Sequence, residues 1–362
     1  MHRYIIPIFV LIGLLASCKT EHHERFDLLH AQKLTEPKPL TNITGLTIVN
    51  DSIAIVIADN SLNIYNPISG KPIDKFKIND KFNDVKNWLL LGLDTGKENR
   101  TMTDRKRVSM PKAESMFANT ILRLSDSVIA FSYQYALPGA IHENKDTVKS
   151  TDSSVYFIAK YNLYTRQLLE NKPVDLYFED EFQSIPEFAF CYDGKSFFMG
   201  GYQYLPRTSG TPSPFAIKYN EGDNKFVPGT PLYVNSMKMI VTVESMTAYP
   251  YCISNTSNML TVAYRDSIAD LQTGKILFSL KGLPGKNKAI TYHALVNKGV
   301  YARYYNTENG VDFKYYDVFT DGTKPQYREI PKGTISNIYQ NTLYQISKED
   351  EGVYIKEYFI GQ

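Results

Sequence analysis

Residues 45–78 read GLTIVNDSIAIVIADNSLNIYNPISGKPIDKFKI. Gly45–Asn50 is apolar at alternate positions and runs into a turn at Asn50-Asp51. Ser52–Ala58 follows and breaks at Asp59-Asn60; Ser61–Asn66 leads to a second turn at Ser69-Gly70, and Lys71–Ile78 closes the stretch. Four short period-two segments joined by three tight connections predict a four-stranded antiparallel sheet. Such a unit has one or both faces apolar and cannot bury them alone.

The unit recurs. Residues 121–135 and 155–174 make the two hairpins of a second copy, and 188–204 and 214–229 those of a third. A fourth spans 249–265 and 266–280, and a fifth 292–306 and 313–330. A sixth, 335–347 with 352–360, lacks its last strand, which a segment from within 26–48 could supply. Helical periodicity is hard to find. The last first-hairpin turns fall about forty residues apart, the size of a bare propeller blade; the earlier ones are separated by inserts. The reading is all-β: a six-bladed β-propeller of four-stranded antiparallel blades, its ring closed by an N-terminal strand. Radial stacking would bury every apolar face and leave only short edges.

Lys plus Arg number 40 and Asp plus Glu 38. This near balance provides no field for nucleic acid. The 27 Tyr and 19 Phe suit strands. At the N-terminus, Arg3 precedes an apolar run, Tyr4–Leu15, too short to cross a bilayer but suited to a signal segment. It ends in Leu15-Ala16-Ser17-Cys18. This resembles the bacterial lipobox, which implies a lipid on Cys18 and attachment to a membrane. Lys19, where an Asp would favour the inner membrane, points through the same resemblance to the outer membrane. The division is 1–17 lipoprotein signal peptide, 18–40 tether that could carry a closing strand, and 41–362 propeller domain. Cys191 and Cys252 each precede a turn in neighbouring repeats and read as buried thiols rather than a bridge.

The repeats and lipobox together, with Asp51-Ser52-Ile53 and Asp126-Ser127-Val128 at first turns and Ser69-Gly70-Lys71 and Thr273-Gly274-Lys275 at second turns, resemble the six-bladed, TolB-like β-propeller lipoproteins of Bacteroidetes. The resemblance identifies architecture and implies a bacterial envelope location facing periplasm or cell surface. It supplies no catalytic residue. Asp-Ser/Thr-aliphatic triplets also resemble the O-glycosylation sequon of exported Bacteroidetes proteins, with Thr147 the candidate acceptor; ordinary turn capping is the alternative.

Tyr133-Gln134-Tyr135 and Tyr202-Gln203-Tyr204 end the second strand of their units, where the fourth has Tyr264-Arg265 and the fifth Arg303-Tyr304-Tyr305. In an antiparallel blade the loop after the second strand and the link to the next blade emerge at one end. The inserts 79–111, 136–154 and 205–213 therefore enlarge one rim, the usual place for a binding site. Tyr133, Tyr135, Tyr202, Tyr204, Tyr264, Arg265, Arg303 and Tyr305 are candidates for an aromatic, cationic mouth. Packing between blades is the competing reading for each tyrosine.

Chemical motifs are sparse. His142 and His293 have no second histidine at metal-ligand spacing, so neither a metal nor a cofactor is expected. In the link 175–181, Glu179, Asp180 and Glu181 could serve as acid and base in glycoside cleavage if held about 5–10 Å apart, or be solvated. The leading expectation is a binder of a ligand or a protein partner without covalent chemistry. The alternatives are a carbohydrate-active hydrolase or lyase and a structural subunit of an envelope complex.

Overall fold

The computed structural model describes residues 24–36, 38–59, 61–77, 116–137, 153–175, 178–179, 182–184, 190–192, 194–203, 213–233, 252–256, 259–264, 266–270, 273–296, 299–307 and 312–360. All regular elements among them are strands. Strand β1 is Leu28–Lys33. The stretch quoted above then forms β2 (Ile43–Asn50), β3 (Ile53–Ala58), β4 (Ser61–Tyr65) and β5 (Pro72–Lys77), paired antiparallel in chain order.

The same order repeats. The second sheet holds β6 (Met116–Arg123), β7 (Val128–Leu137), β8 (Ser153–Asn162) and β9 (Gln167–Val174). A small hairpin follows, β10 (Phe178–Glu179) and β11 (Phe182–Ser184). The third sheet holds β12 (Phe190–Tyr192), β13 (Phe197–Gln203), β14 (Ser213–Glu221) and β15 (Phe226–Tyr233). The fourth holds β16 (Cys252–Thr256), β17 (Met259–Tyr264), β18 (Ser267–Asp270) and β19 (Ile276–Ser279). The fifth holds β20 (Asn287–Val296), β21 (Gly299–Thr307), β22 (Phe313–Thr320) and β23 (Gln326–Ile330). The last, β24 (Ile335–Tyr339), β25 (Thr342–Glu349) and β26 (Gly352–Phe359), takes β1 as its fourth strand, with Lys33 opposite Tyr354. A single parallel bridge, Phe226 to Val174, also links β15 to β9.

Both faces of β3 are buried. Ile53, Ile55 and Ile57 pack with Phe76, Ile129, Phe131, Phe157 and Tyr161, between the first and second sheets. Ala54, Val56 and Ala58 pack with Tyr65, Ile346, Val353 and Ile355, between the first sheet and the last. A strand with no solvent face reads as an unbroken apolar run, here IAIVIA. Each fully buried Ile or Val contributes about 1.5–3 kcal/mol. Similar clusters join the second sheet to the third, the fourth to the fifth and the fifth to the last. First strands meet their counterparts: β2 lies against β6 and β24, β6 and β16 against β12, and β20 against β16 and β24. The result is a β-propeller-like all-β fold.

One turn is used three times between third and fourth strands. Asn66, Asn162 and Asp270 open it, and their side-chain oxygens accept bonds from backbone N–H groups two or three residues on. The fifth residue is left-handed: Gly70 at φ 66°, Arg166 at φ 57°, Gly274 at φ 68°. The Asp-Ser pairs at 51–52 and 126–127 likewise lie in the β2–β3 and β6–β7 turns.

Gly70 is doubly constrained, because a Cβ there would lie 2.0 Å from the Lys33 carbonyl oxygen. Gly70→Ala should lower stability by at least the ~1–2 kcal/mol of left-handed strain. Arg166→Gly should raise it by about 0.5–1 kcal/mol, since the ion pair it removes, to a half-buried Asp74 at 3.5 Å, is made by an exposed arginine and is weak. Urea titration of both variants checks the pair of signs.

Candidate functional site: a lysine-lipped cleft beside a buried carboxylate

The rim to which second strands run and from which first strands start carries a cleft of about 370 Å³ at the joint between the last sheet and the first. Three remote segments line it: Leu40–Ile43 ahead of β2, Pro331–Thr334 ahead of β24, and Ile346–Lys348 near the end of β25. Leu40 and Ile346 are buried and supply an apolar floor. Thr41, Thr334 and Ser347 bring hydroxyls, while Lys332 and Lys348 are exposed. The charged members of this lining are both lysines. Asp59 fixes one wall by accepting bonds from the Thr41 backbone N–H at 3.1 Å and from its hydroxyl.

The opposite wall is held from beneath. Arg303 is only 6% exposed, and its Nη1 donates to the carbonyl of Thr334. Its Nε and Nη2 lie 3.4 Å from Oδ1 of Asp317, which has no exposure. Arg328 meets the other carboxylate oxygen at 3.2 and 3.3 Å. Gln345 donates to that same oxygen at 2.6 Å and to Ser336 at 2.9 Å. Tyr301 donates to Oδ1 at 2.6 Å. Burial, then the Asp317 charge, pushes the Tyr301 phenol well above its ordinary pKa, so it stays a donor. These partners come from β21, β22, β23, β24 and β25, so the network stitches the fifth sheet to the last.

The sequence candidates divide. Tyr133 is not a rim residue: it is fully buried, stacks on Phe157 at 5.1 Å, and donates to Asn171 at 2.9 Å. It continues the inward row of Ile129 and Phe131, which fills the space against the first sheet. Arg303 is likewise corrected, since its donors are spent inside the fold. Tyr305 is half-buried, with Phe313 and Tyr315 rings at 5.4 and 6.2 Å. Tyr135, Tyr202 and Tyr264 have their backbones at the ends of β7, β13 and β17; their side chains lie outside the described residues, as do Tyr204 and Arg265 entirely. Cys18, Thr147, His142, Asp180 and Glu181 also fall outside. Glu179 stands in β10, whose partner β11 pairs with β13 and sets Gln183 opposite Tyr202. The backbones of the acidic link and of the second tyrosine triplet thus share one sheet. Neither that hairpin nor the cleft was anticipated from the sequence; the only trace of the cleft was the polar turn Lys332-Gly333-Thr334 between two units.

His293 is a packing residue. It is fully buried on β20, its Nε2 is 2.8 Å from the Thr261 hydroxyl on β17, and burial lowers its pKa to about 3. Cys191 on β12 is buried. No group of three or more metal-ligating side chains occurs among the described residues.

No protein-family model matches the chain, and no curated protein matches it. Among solved structures, it aligns with the extracellular domain of a B. thetaiotaomicron protein described as a one component system (11% identity, 92% of this chain, 40% of the other, TM-score 0.41). It also aligns with Pyrococcus horikoshii acylaminoacyl peptidase (11%, 88% and 52%, TM-score 0.40) and the AfRom2 CNH domain (9%, 92% and 100%, TM-score 0.39). The chain spans only about two fifths of the first of these. At such TM-scores the strand pairing, not the likeness, carries the fold.

Tyr133→Ala should cost about 3–5 kcal/mol as a core truncation, whereas Tyr133→Phe should cost about 1 kcal/mol for the lost bond to Asn171. Chemical denaturation distinguishes this from a rim residue, whose removal would leave stability unchanged. For His293, the unfolded chain takes up a proton near the ordinary value of 6.5 while the folded chain resists until about 3. Its contribution is therefore intact above 6.5 and is lost as pH falls from there towards 3. His293→Gln should flatten the stability–pH curve in that window, and an unchanged slope would assign the acid sensitivity elsewhere.

Proposed function

We propose that the protein is a lipid-anchored envelope protein of the outer membrane, built as a closed six-bladed ring that binds a ligand at the rim of its inter-sheet links. The six-blade reading is supported by six antiparallel four-stranded units in chain order, the second and third joined into one sheet by the Phe226–Val174 bridge, and by β1 adding to β26. It is supported too by the succession of first-strand contacts, which starts at β2, passes β6, β12, β16, β20 and β24, and comes back to β2. The observation that carries binding is the cleft: a concave site with an apolar floor, three hydroxyls and two lysines without a lining carboxylate. Such a lining suits a ligand with an apolar or sugar-like body and a carboxylate or sulfate end. The charged members of the lining are two exposed lysines with no carboxylate to work against, which favours binding without covalent chemistry.

A second reading rests on β11 pairing with β13. Glu179 and the Tyr202 strand in one sheet would suit a carbohydrate-active hydrolase or lyase acting at the acidic link. A structural subunit docking another envelope protein would instead use the rim as a whole.

A glycan array that includes acidic and sulfated sugars, followed by thermal shift on the chain from Lys19 onward, tests the leading reading. A ligand found this way should lose at least tenfold in affinity in the Lys332→Glu/Lys348→Glu double variant, whose melting temperature should stay within a few degrees of the original. Unchanged affinity in that variant would remove the cleft as the site, and product release from a glycan in the Glu179→Gln comparison would favour the enzyme.

A further inference from the structure

The chain enters the fold at the end opposite the cleft, and it enters pinned. β1 pairs antiparallel with β26, so Leu28 lies beside Tyr358 and Lys33 beside Tyr354. The cleft residues Ser347 and Lys348 stand opposite Tyr354 and Val353, at the Lys33 end. The N-terminal end of β1 is thus one strand length, about 17–20 Å, from the cleft. Ahead of β1 the chain is not a loose tether. The Phe26 N–H donates to the Phe359 carbonyl at 2.6 Å, and the Phe359 N–H to the Asp27 carbonyl at 3.0 Å. Arg25 pairs with Asp321 in the β22–β23 turn and lies over Phe319 at 4.7 Å. Arg328 lies over both Phe26 and Tyr358, at 4.9 and 3.7 Å. Glu24 is six positions beyond Cys18, with five residues between them. Fully extended, that stretch reaches about 20 Å.

We infer that the bilayer is the partner of the turn face around Asp321, Lys324 and the β24–β25 turn at Gln340-Asn341, and that the cleft rim points away from the membrane. This deepens the proposed function and rests on the lipid at Cys18. A lipid whose leash is at most about 20 Å long comes to the far rim, one strand length away, only when fully stretched along the flank of the body, so an entry segment fixed by backbone bonds, an ion pair and two stacked arginines holds the turn face against the bilayer. The cleft is then presented to whatever compartment the leaflet faces, free of steric blocking by headgroups. A ligand too large to enter between the protein and its membrane remains accessible.

The test uses the full lipidated chain on phosphatidylcholine vesicles containing a lipid with a nitroxide headgroup. A fluorescent amino acid is placed singly at 324 or 341 on the turn face, or at 332 or 348 on the rim. Flotation of the vesicles, with the Cys18→Ser chain as control, reads the lipid separately. The expected result is flotation that depends on Cys18 and quenching at 324 and 341 several-fold stronger than at 332 and 348. Inserting a Gly-Ser stretch of about 30 residues after Thr20 should even out the four sites by freeing the leash. Cys18-dependent flotation with equal quenching in the uninserted chain, or stronger quenching at the rim, overturns the orientation while sparing the lipid. Flotation that ignores Cys18, or none at all, overturns both.

Discussion

Ile53–Ala58 has no face that tolerates water. As a strand it presents three isoleucines to one side and Ala, Val and Ala to the other, all buried. Leaving either side open would forfeit several kcal/mol at about 25 cal/mol per Å². A single further sheet covers only one side and presents the same difficulty on its own far face: β7 turns Ile129, Phe131 and Tyr133 towards the first sheet and Ala130 towards the third. The first and last sheets bury such faces against each other. The small side chains of β3 face that joint, where Tyr65, Tyr339 and Tyr344 fill the space the alanines leave. Large-against-small packing across the seam keeps interior density.

The joint between the fifth and last sheets is made differently. Asp317 is desolvated, and two arginines, a tyrosine and a glutamine surround it. Buried ion pairs rarely stabilise more than well-packed hydrocarbon would, because desolvation offsets their attraction. Their geometry is directional, however. Arg303 contacts both Asp317 and the Thr334 carbonyl, so the register of two sheets and the position of the cleft wall are set by one side chain. The joint of the second and third sheets uses Lys160 and Lys172 with Glu170 and Glu221, at 2.5–3.0 Å but with Glu221 half exposed. Solvent weakens such pairs, and no cleft wall depends on them.

The sheets were readable because their signals are local. Period-two alternation and Asx-led turns lie within a few residues, and Ser69-Gly70-Lys71 and Thr273-Gly274-Lys275 marked the third-to-fourth turns directly. The copy at Asn162–Arg166 was hidden because arginine occupies the left-handed position that glycine holds elsewhere. Side-chain fates were less readable, because their partners are distant along the chain. Whether Tyr133 faces a mouth or the neighbouring sheet depends on Asn171, 38 residues away. Whether Arg303 reaches solvent depends on Asp317 on the paired strand and on Ser336 across a sheet boundary. The cleft draws on segments near 41, 333 and 347, and no window of sequence contains them together. The β10–β11 hairpin is too short for a periodic signal to register.

Strand parity decides the end at which the chain enters the fold. In every sheet the first strand leaves the rim, the second returns, the third leaves and the fourth returns. A fourth strand borrowed from the N-terminus must also run towards the rim, so its start is forced to the turn face, and β26, a third strand, ends there as well. Had the borrowed segment been a first strand at the start of the last sheet, the chain would have entered at the rim, beside the cleft. Position along the sheet therefore decides more than stability: the pairing of Leu28–Lys33 with β26 fixes the end from which the chain departs, and residues Arg25 and Phe26 hold it there through Asp321, Phe319 and Arg328.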